Sequence, residues 1–199
     1  TIAAAPSNFA TVAYATSTTP AASTLSQQDD YTMWQNIVTV GNTKVRLVAF
    51  KLRQVGSVLN TDLKNFDLFV DGTKVASVAA LDADGYANFD LSAAPVTMET
   101  GSRTIKMLGD IVAGSNRNFS FSLRQAPDGY FVDNDFNQPV LATGNDTSTT
   151  GTFAARTTGT QTIDVGTITF TKRSDSPSGN IVNTASNVLM AKFDVKAAG

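Results

Sequence analysis

The chain has 199 residues with no cysteine and no histidine, and Glu99 is its only glutamate. The missing thiol and imidazole exclude a thiolate nucleophile, a Ser-His-Asp triad and the ordinary zinc, haem and iron–sulfur ligand sets. Proton transfer near neutral pH would fall to a strongly perturbed carboxylate or lysine. Glycoside hydrolysis needs two carboxyl groups at a set separation across a cleft, whereas the aspartates here sit mostly in turn sequences. No catalytic residue is assigned, and the chain reads as a non-enzyme. Charge is scarce as well, at 16% of residues with a net of −2. That balance provides no electrostatic footprint for nucleic acid or an anionic membrane. No apolar run approaches the roughly 20 residues of a membrane-spanning helix, so membrane insertion is not expected. No secretory signal is visible, but the chain opens on Thr1 rather than Met, which reads as processed or excised from something longer.

What is abundant is Thr, Ser, Ala, Asn and Gly around short Val, Ile and Phe runs, with hydrophobic residues at 42%. Branching at Cβ favours a pleated surface, so Thr and Val point to strands. Alternation recurs in FATVAYA, NIVTV, VRLVAFKLR and FSFSLRQ, where Phe119, Phe121 and Leu123 alternate with Ser120 and Ser122 as in a half-buried strand. Asp71-Gly72 between FDLFV and TKVASV is a strong hairpin signal. DADG (82–85) marks the next turn, again between two strands. Turns at such short intervals, without sustained helical periodicity, predict an all-β antiparallel sandwich. The alternative is an open α+β domain with short helices over 57–65 or 92–100.

One pattern is written twice. NIVTVGNTKVRLVAFKLRQVG begins at Asn36, and NIVNTASNVLMAKFDVKAAG begins at Asn180 and closes the chain. Phe50 matches Phe193, Leu52 matches Val195 and Val48 matches Ala191, while Lys51 and Arg53 answer to the polar Asp194 and Lys196. Upstream, FATVAYATSTTP corresponds to GTITFTKRSDSP. The echo predicts a first module over residues 1–160, with an insertion at 17–35, and the opening strands of a second over 161–199, about 145 residues on. Such opening strands cannot bury their own apolar face. Leu189, Ala191, Phe193 and Val195 would therefore meet a neighbouring module of the same protein, or complete a second subunit's sheet by strand addition.

The run DLKNFDLFVDGTKVASVAALDADGYANFDL, with SDSPSGNI and ASNVLMAKFDVKA, resembles the tandem Ig-like β-sandwich modules of bacterial cell-surface proteins, including surface-layer-like proteins of candidate-phylum bacteria. The likeness spans residues 36–143 and 160–199. It implies an Ig-like sandwich and an extracellular structural or adhesive role at the cell surface, as part of a self-assembling layer or filament, and it implies no catalytic residues. The segment 17–35 departs from the second copy. A competing expectation is an adhesin or carbohydrate-binding domain that meets a glycan or host surface.

Candidate sites are few. Asp82 and Asp84 open like a calcium loop, but the twelfth position, where an EF-hand carries glutamate, is Ala93, and turn geometry alone wants Asp and Gly there. Asp133 and Asp135 form a second oxygen-rich loop that could share a calcium ion with them if folding brings the two together. Tyr31, Trp34, Tyr130 and Phe131 are either ligand-facing aromatics or sandwich-edge core. Asn118 and Asn145 stand in glycosylation sequons, with Asn145 in the more loop-like context.

Overall fold

The computed structural model describes residues 8–144, 153–180 and 186–198. Among them the chain is predominantly β-strand, and the only helical turn is a three-residue 3-10 segment, Ala126–Asp128. The protein is all-β. Neither 57–65 nor 92–100 forms a helix: the first is a turn leading into a strand at Leu63, the second a turn and a strand at Val96–Met98.

Two sheets form the body. The smaller holds β1 (Thr11–Tyr14), β3 (Gln28–Gly41), β5 (Leu63–Val70), β6 (Thr73–Val78), β9 (Gly101–Ile111) and β13 (Thr143–Gly144), in the order β13-β1-β3-β9-β5-β6. The larger holds β2 (Ser23–Leu25), β4 (Val45–Gly56), β7 (Tyr86–Asp90), β8 (Val96–Met98), β10 (Asn118–Leu123), β11 (Gly129–Asp133), β12 (Pro139–Val140), β14 (Arg156–Thr157) and β15 (Gln161–Ile163). In it β4 is central, paired with β7 and β8 along one edge and with β10 and β11 along the other. Neither sheet closes on itself.

The core is made where apolar side chains of the two sheets meet. Trp34 of β3 packs on Phe50 of β4 with centroids 5.6 Å apart, Phe66 of β5 on Phe121 of β10 at 5.8 Å, and Tyr14 of β1 on Phe131 of β11 at 6.2 Å. Burying such rings is the main favourable term in holding the sheets together. Alternation in β4 is interrupted once. Opposite a register shift between Tyr130 and Phe131, Leu47 and Phe50 both turn inward, so Leu47 rather than Val48 supplies the core side chain. Ser120 and Ser122 are nearly as buried as the phenylalanines beside them, which corrects the half-buried expectation. They are hemmed in by Val55 and Thr157 on neighbouring strands.

The turns behave as their residues require. Asp71 and Gly72 both have positive φ, 47° and 81°, which makes the tight two-residue hairpin between β5 and β6. DADG is a turn but not a hairpin. β6 lies in the smaller sheet and β7 in the larger, so the loop is a corner between sheets.

Residues 17–35 are woven into the body rather than inserted as a projection. Trp34 and Met33 are fully buried, and the Trp34 indole donates to the Arg156 carbonyl at 2.9 Å. Buried Gln161 donates from Nε2 to the carbonyls of Ala21 and Gly159, while its Oε1 accepts from Tyr31. β15 therefore belongs to the body, parallel to β2 and antiparallel to β10, so the body continues past residue 160.

A separate two-stranded sheet follows: β16 (Thr167–Lys172) against β17 (Phe193–Ala198). The strands equated by the echo are not placed alike. β1 and β4 lie in different sheets, whereas β16 and β17 pair directly with each other.

Candidate functional site

The β16–β17 ribbon carries a run of exposed apolar side chains on paired strands. Cross-strand neighbours share a face, and the register pairs Ile168 with Ala197, Phe170 with Val195, and Lys172 with Phe193. Thr169 with Lys196 and Thr171 with Asp194 make up the opposite face. One face is thus apolar except at its Lys172 corner, and the other is polar. The apolar face is open: Ile168 is 65% exposed, Phe170 68%, Phe193 55% and Val195 61%. Leu189 and Met190, just before β17, are exposed as well, as is Ala191.

The looped end of the ribbon, where the chain leaves β16 after Lys172 and returns to β17 at Phe193, is tied by charge. Arg173 reaches Asp175 at 2.8 Å and Asp194 at 3.3 Å, and Lys192 reaches Asp175 at 2.9 Å. The Arg173 and Lys192 hydrogen bonds hold the Asp175 carboxyl below its usual pKa. Exposed pairs of this kind contribute little stability. They set the shape of the ribbon's end and leave its apolar face uncovered.

The four candidate calcium aspartates do not converge. Asp82 lies near the Arg53 end of β4, because β7 pairs there, while Asp133 pairs with Val45 at the other end. Those ends are roughly 26 Å apart along an extended strand. Asp82 Oδ1 accepts from the Asp84 and Tyr86 amides, and Oδ2 from Asn88, so its oxygens are occupied in shaping the corner. Asp133 is fully buried. Its carboxylate accepts from the amides of Ala10, Asp135 and Phe136 and from the Thr43 hydroxyl. Burial raises its pKa, and those hydrogen bonds more than offset this, leaving it below the usual carboxylate range. Among the described residues no three metal-ligating side chains cluster. Asp133 instead anchors the N-terminal segment to the β11–β12 loop.

The aromatics divide. Trp34 and Phe131 are completely buried between the sheets and present nothing to a ligand, which corrects their candidacy. Tyr31 is half-buried, its hydroxyl held by Gln161 at 2.8 Å, and its pKa is raised chiefly by burial. Tyr130 alone faces outward, at 41% exposure. Asn118 is exposed at the first residue of β10, its side-chain oxygen accepting from the Ser57 amide. Asn145 lies outside the described residues.

Two placements escaped the sequence. Asn36 is buried and donates to the carbonyls of Ala15 and Ser17 and to Thr18 Oγ1, fastening the loop after β1. Asn180, its counterpart, is exposed. Tyr14 is fully buried, and its hydroxyl fits the notch left by the missing Cβ of Gly129. That hydroxyl has no hydrogen-bond partner among the described residues. Burial first, and then the nearby Asp128 carboxylate, push its pKa well above that of an ordinary tyrosine. Among the described residues no helix is long and apolar enough to cross a membrane.

No protein-family model matches the chain, and neither a curated protein nor a solved structure matches it.

Proposed function

We propose that this chain is a non-catalytic Ig-like β-sandwich module of an extracellular surface assembly, a layer or a filament. Its terminal ribbon docks its apolar face on a second copy of the module. The facing sheets and their shared aromatic core support the sandwich reading. The uncovered face of Ile168, Phe170, Phe193 and Val195 carries the assembly reading. A two-stranded hairpin alone is marginally stable in water, so a partner that covers this face gains apolar burial and orders the ribbon at once. The ribbon and the surface that receives it are different patches, so the contact is head-to-tail and propagates unless rotation closes it.

Sedimentation velocity across a concentration series tests this. The full chain should form species that grow with concentration. A Phe170→Ser, Val195→Ser variant should stay monomeric with an unchanged body. Removing residues 180–199 should likewise abolish assembly and leave the body folded. Assembly that survives either change would sink the proposal.

A second reading, an adhesin or carbohydrate-binding domain, is favoured by an arginine-bearing cleft on the outer face of the larger sheet.

A further inference from the structure

The cleft lies where the Arg53 end of β4 meets the DADG corner, β10 and β14, and encloses about 590 Å³. That is within the range of small-molecule sites. Arg53, Gln54, Asn60, Asp84, Ser122 and Arg124 are among its lining residues. Arg53 points outward because Leu52 before it is buried in the core, and Ser122 is its register partner on β10.

Three features of the cleft lean one way. The first is charge. Neither the Arg53 nor the Arg124 guanidinium has an ion pair or hydrogen bond among the described residues, although other arginines in the chain, such as Arg103, Arg117 and Arg173, do. Among the described residues Arg53 is steadied by the Tyr86 ring, 5.6 Å from its guanidinium carbon. The cleft therefore holds two open planar donor forks against the single carboxylate of Asp84. The second is an orphan: Gln54 Nε2 is buried without a hydrogen-bond partner among the described residues. A buried donor in that state calls for an acceptor, which a ligand supplies once the Gln54 side chain turns out into the cleft. The third is a lining of hydroxyl and amide groups. Ser122 Oγ and Thr157 Oγ1 share a hydrogen bond of 2.7 Å, and Asn60 Nδ2 is fixed on the Asp82 carbonyl at 2.8 Å, which leaves the Asn60 oxygen free to accept.

Guanidinium forks match carboxylates in a bidentate way, while paired hydroxyls and amides exchange hydrogen bonds with vicinal sugar hydroxyls. The cleft lacks a wall of large aliphatic side chains for a lipid tail. It is open enough to admit an internal unit of a chain as well as an end. We infer that this cleft binds an acidic saccharide, a carboxylate-bearing sugar of the uronate class, with Arg53 and Arg124 on the carboxylate and Gln54, Asn60, Ser122 and Thr157 on the hydroxyls. This deepens the binding-domain reading and is independent of assembly through the ribbon.

The test is calorimetric titration of the full chain with short oligomers of galacturonate, glucuronate and mannuronate, with the neutral galactose oligomer, and with inorganic phosphate. At least one uronate oligomer should bind. Its affinity should fall by about tenfold or more in Arg53→Gln and again in Arg124→Gln. Ser122→Ala should weaken it by a smaller factor. Arg124 is exposed and Arg53 half-buried, whereas Ser122 is buried at the floor of the cleft, and unchanged thermal melting verifies that each variant is folded. The Phe170→Ser, Val195→Ser variant should bind as the parent chain does. That result separates this inference from the assembly proposal, because either can fail while the other stands. Binding of the neutral oligomer alone would overturn the acidic assignment and leave a sugar-binding domain. Phosphate that binds as well as the uronates would overturn the sugar assignment. No binding by any uronate, or full affinity in both arginine variants, would overturn the inference altogether.

Discussion

Phe50 and Phe193 stand at matching places in two copies of one sequence pattern, yet Phe50 is 1% exposed and Phe193 is 55% exposed. Leu52 and Val195 differ in the same way, at 0% and 61%. Alternation suffices to make an amphipathic strand, and both strands are formed. It does not supply the surface that the apolar face must cover. In the body β4 has a second sheet opposite it, with Trp34 against Phe50. Among the described residues the ribbon has only its partner strand. The same local pattern is therefore core in one setting and an uncovered apolar strip in the other.

The contrast can be broken most directly at those two phenylalanines. Phe50→Ala should cost about 3–5 kcal/mol of unfolding free energy in a urea titration, through lost transfer energy and the cavity left behind. In dilute protein Phe193→Ala should cost less than about 0.5 kcal/mol. Equal losses would mean that the ribbon is covered within the monomer.

The aspartates extend the contrast to polar groups. Asp133→Ala leaves three amides and a hydroxyl without their acceptor and should cost about 2–3 kcal/mol, whereas Asp175→Ala should leave the body's melting temperature unchanged. A body insensitive to Asp133 would show that the N-terminal segment is not anchored there. The same residue gives a pH signature. Its folded pKa lies below the unfolded value, so its stabilising contribution is fully present above the unfolded value. That contribution is lost as pH falls through the folded one. Melting temperature should be level near neutrality and drop below about pH 4, more steeply than in Asp133→Asn. Parallel profiles for the two proteins would refute the role given to this carboxylate.

Tyr14→Phe sharpens the comparison at its smallest scale. Its hydroxyl is buried and has no partner among the described residues, so deletion should be neutral or stabilise by up to about 1 kcal/mol, read from the same urea titration. A clear loss would reveal an acceptor for that proton.

Much of the strand content was legible because Cβ branching and alternation act locally, as did the hairpin at Asp71-Gly72, where the need for positive φ selects those residues. DADG was legible as a turn but not as a corner, because a turn sequence carries no record of which sheet receives the next strand. Trp34 and Phe131 read as plausible ligand aromatics only because burial is a property of what lies opposite. Asp82 and Asp133 looked alike in sequence, and the length of β4 separates them. The cleft was invisible, since Arg53 and Arg124 are far apart in the chain and meet only through the pairing of β4 with β10.

By itself the sequence determined the chemistry the chain can draw on: no thiol, no imidazole, little charge, and strands with one apolar face. Those are consequences of composition and of the two-residue period, which need no knowledge of the fold. Tertiary structure alone decided which apolar faces are hidden, which carboxylates are spent on backbone amides, and which arginines stand together without a partner among the described residues. Each of these depends on contacts between residues distant in sequence. A strand's local pattern makes its face apolar, but only a second surface can take that face out of water.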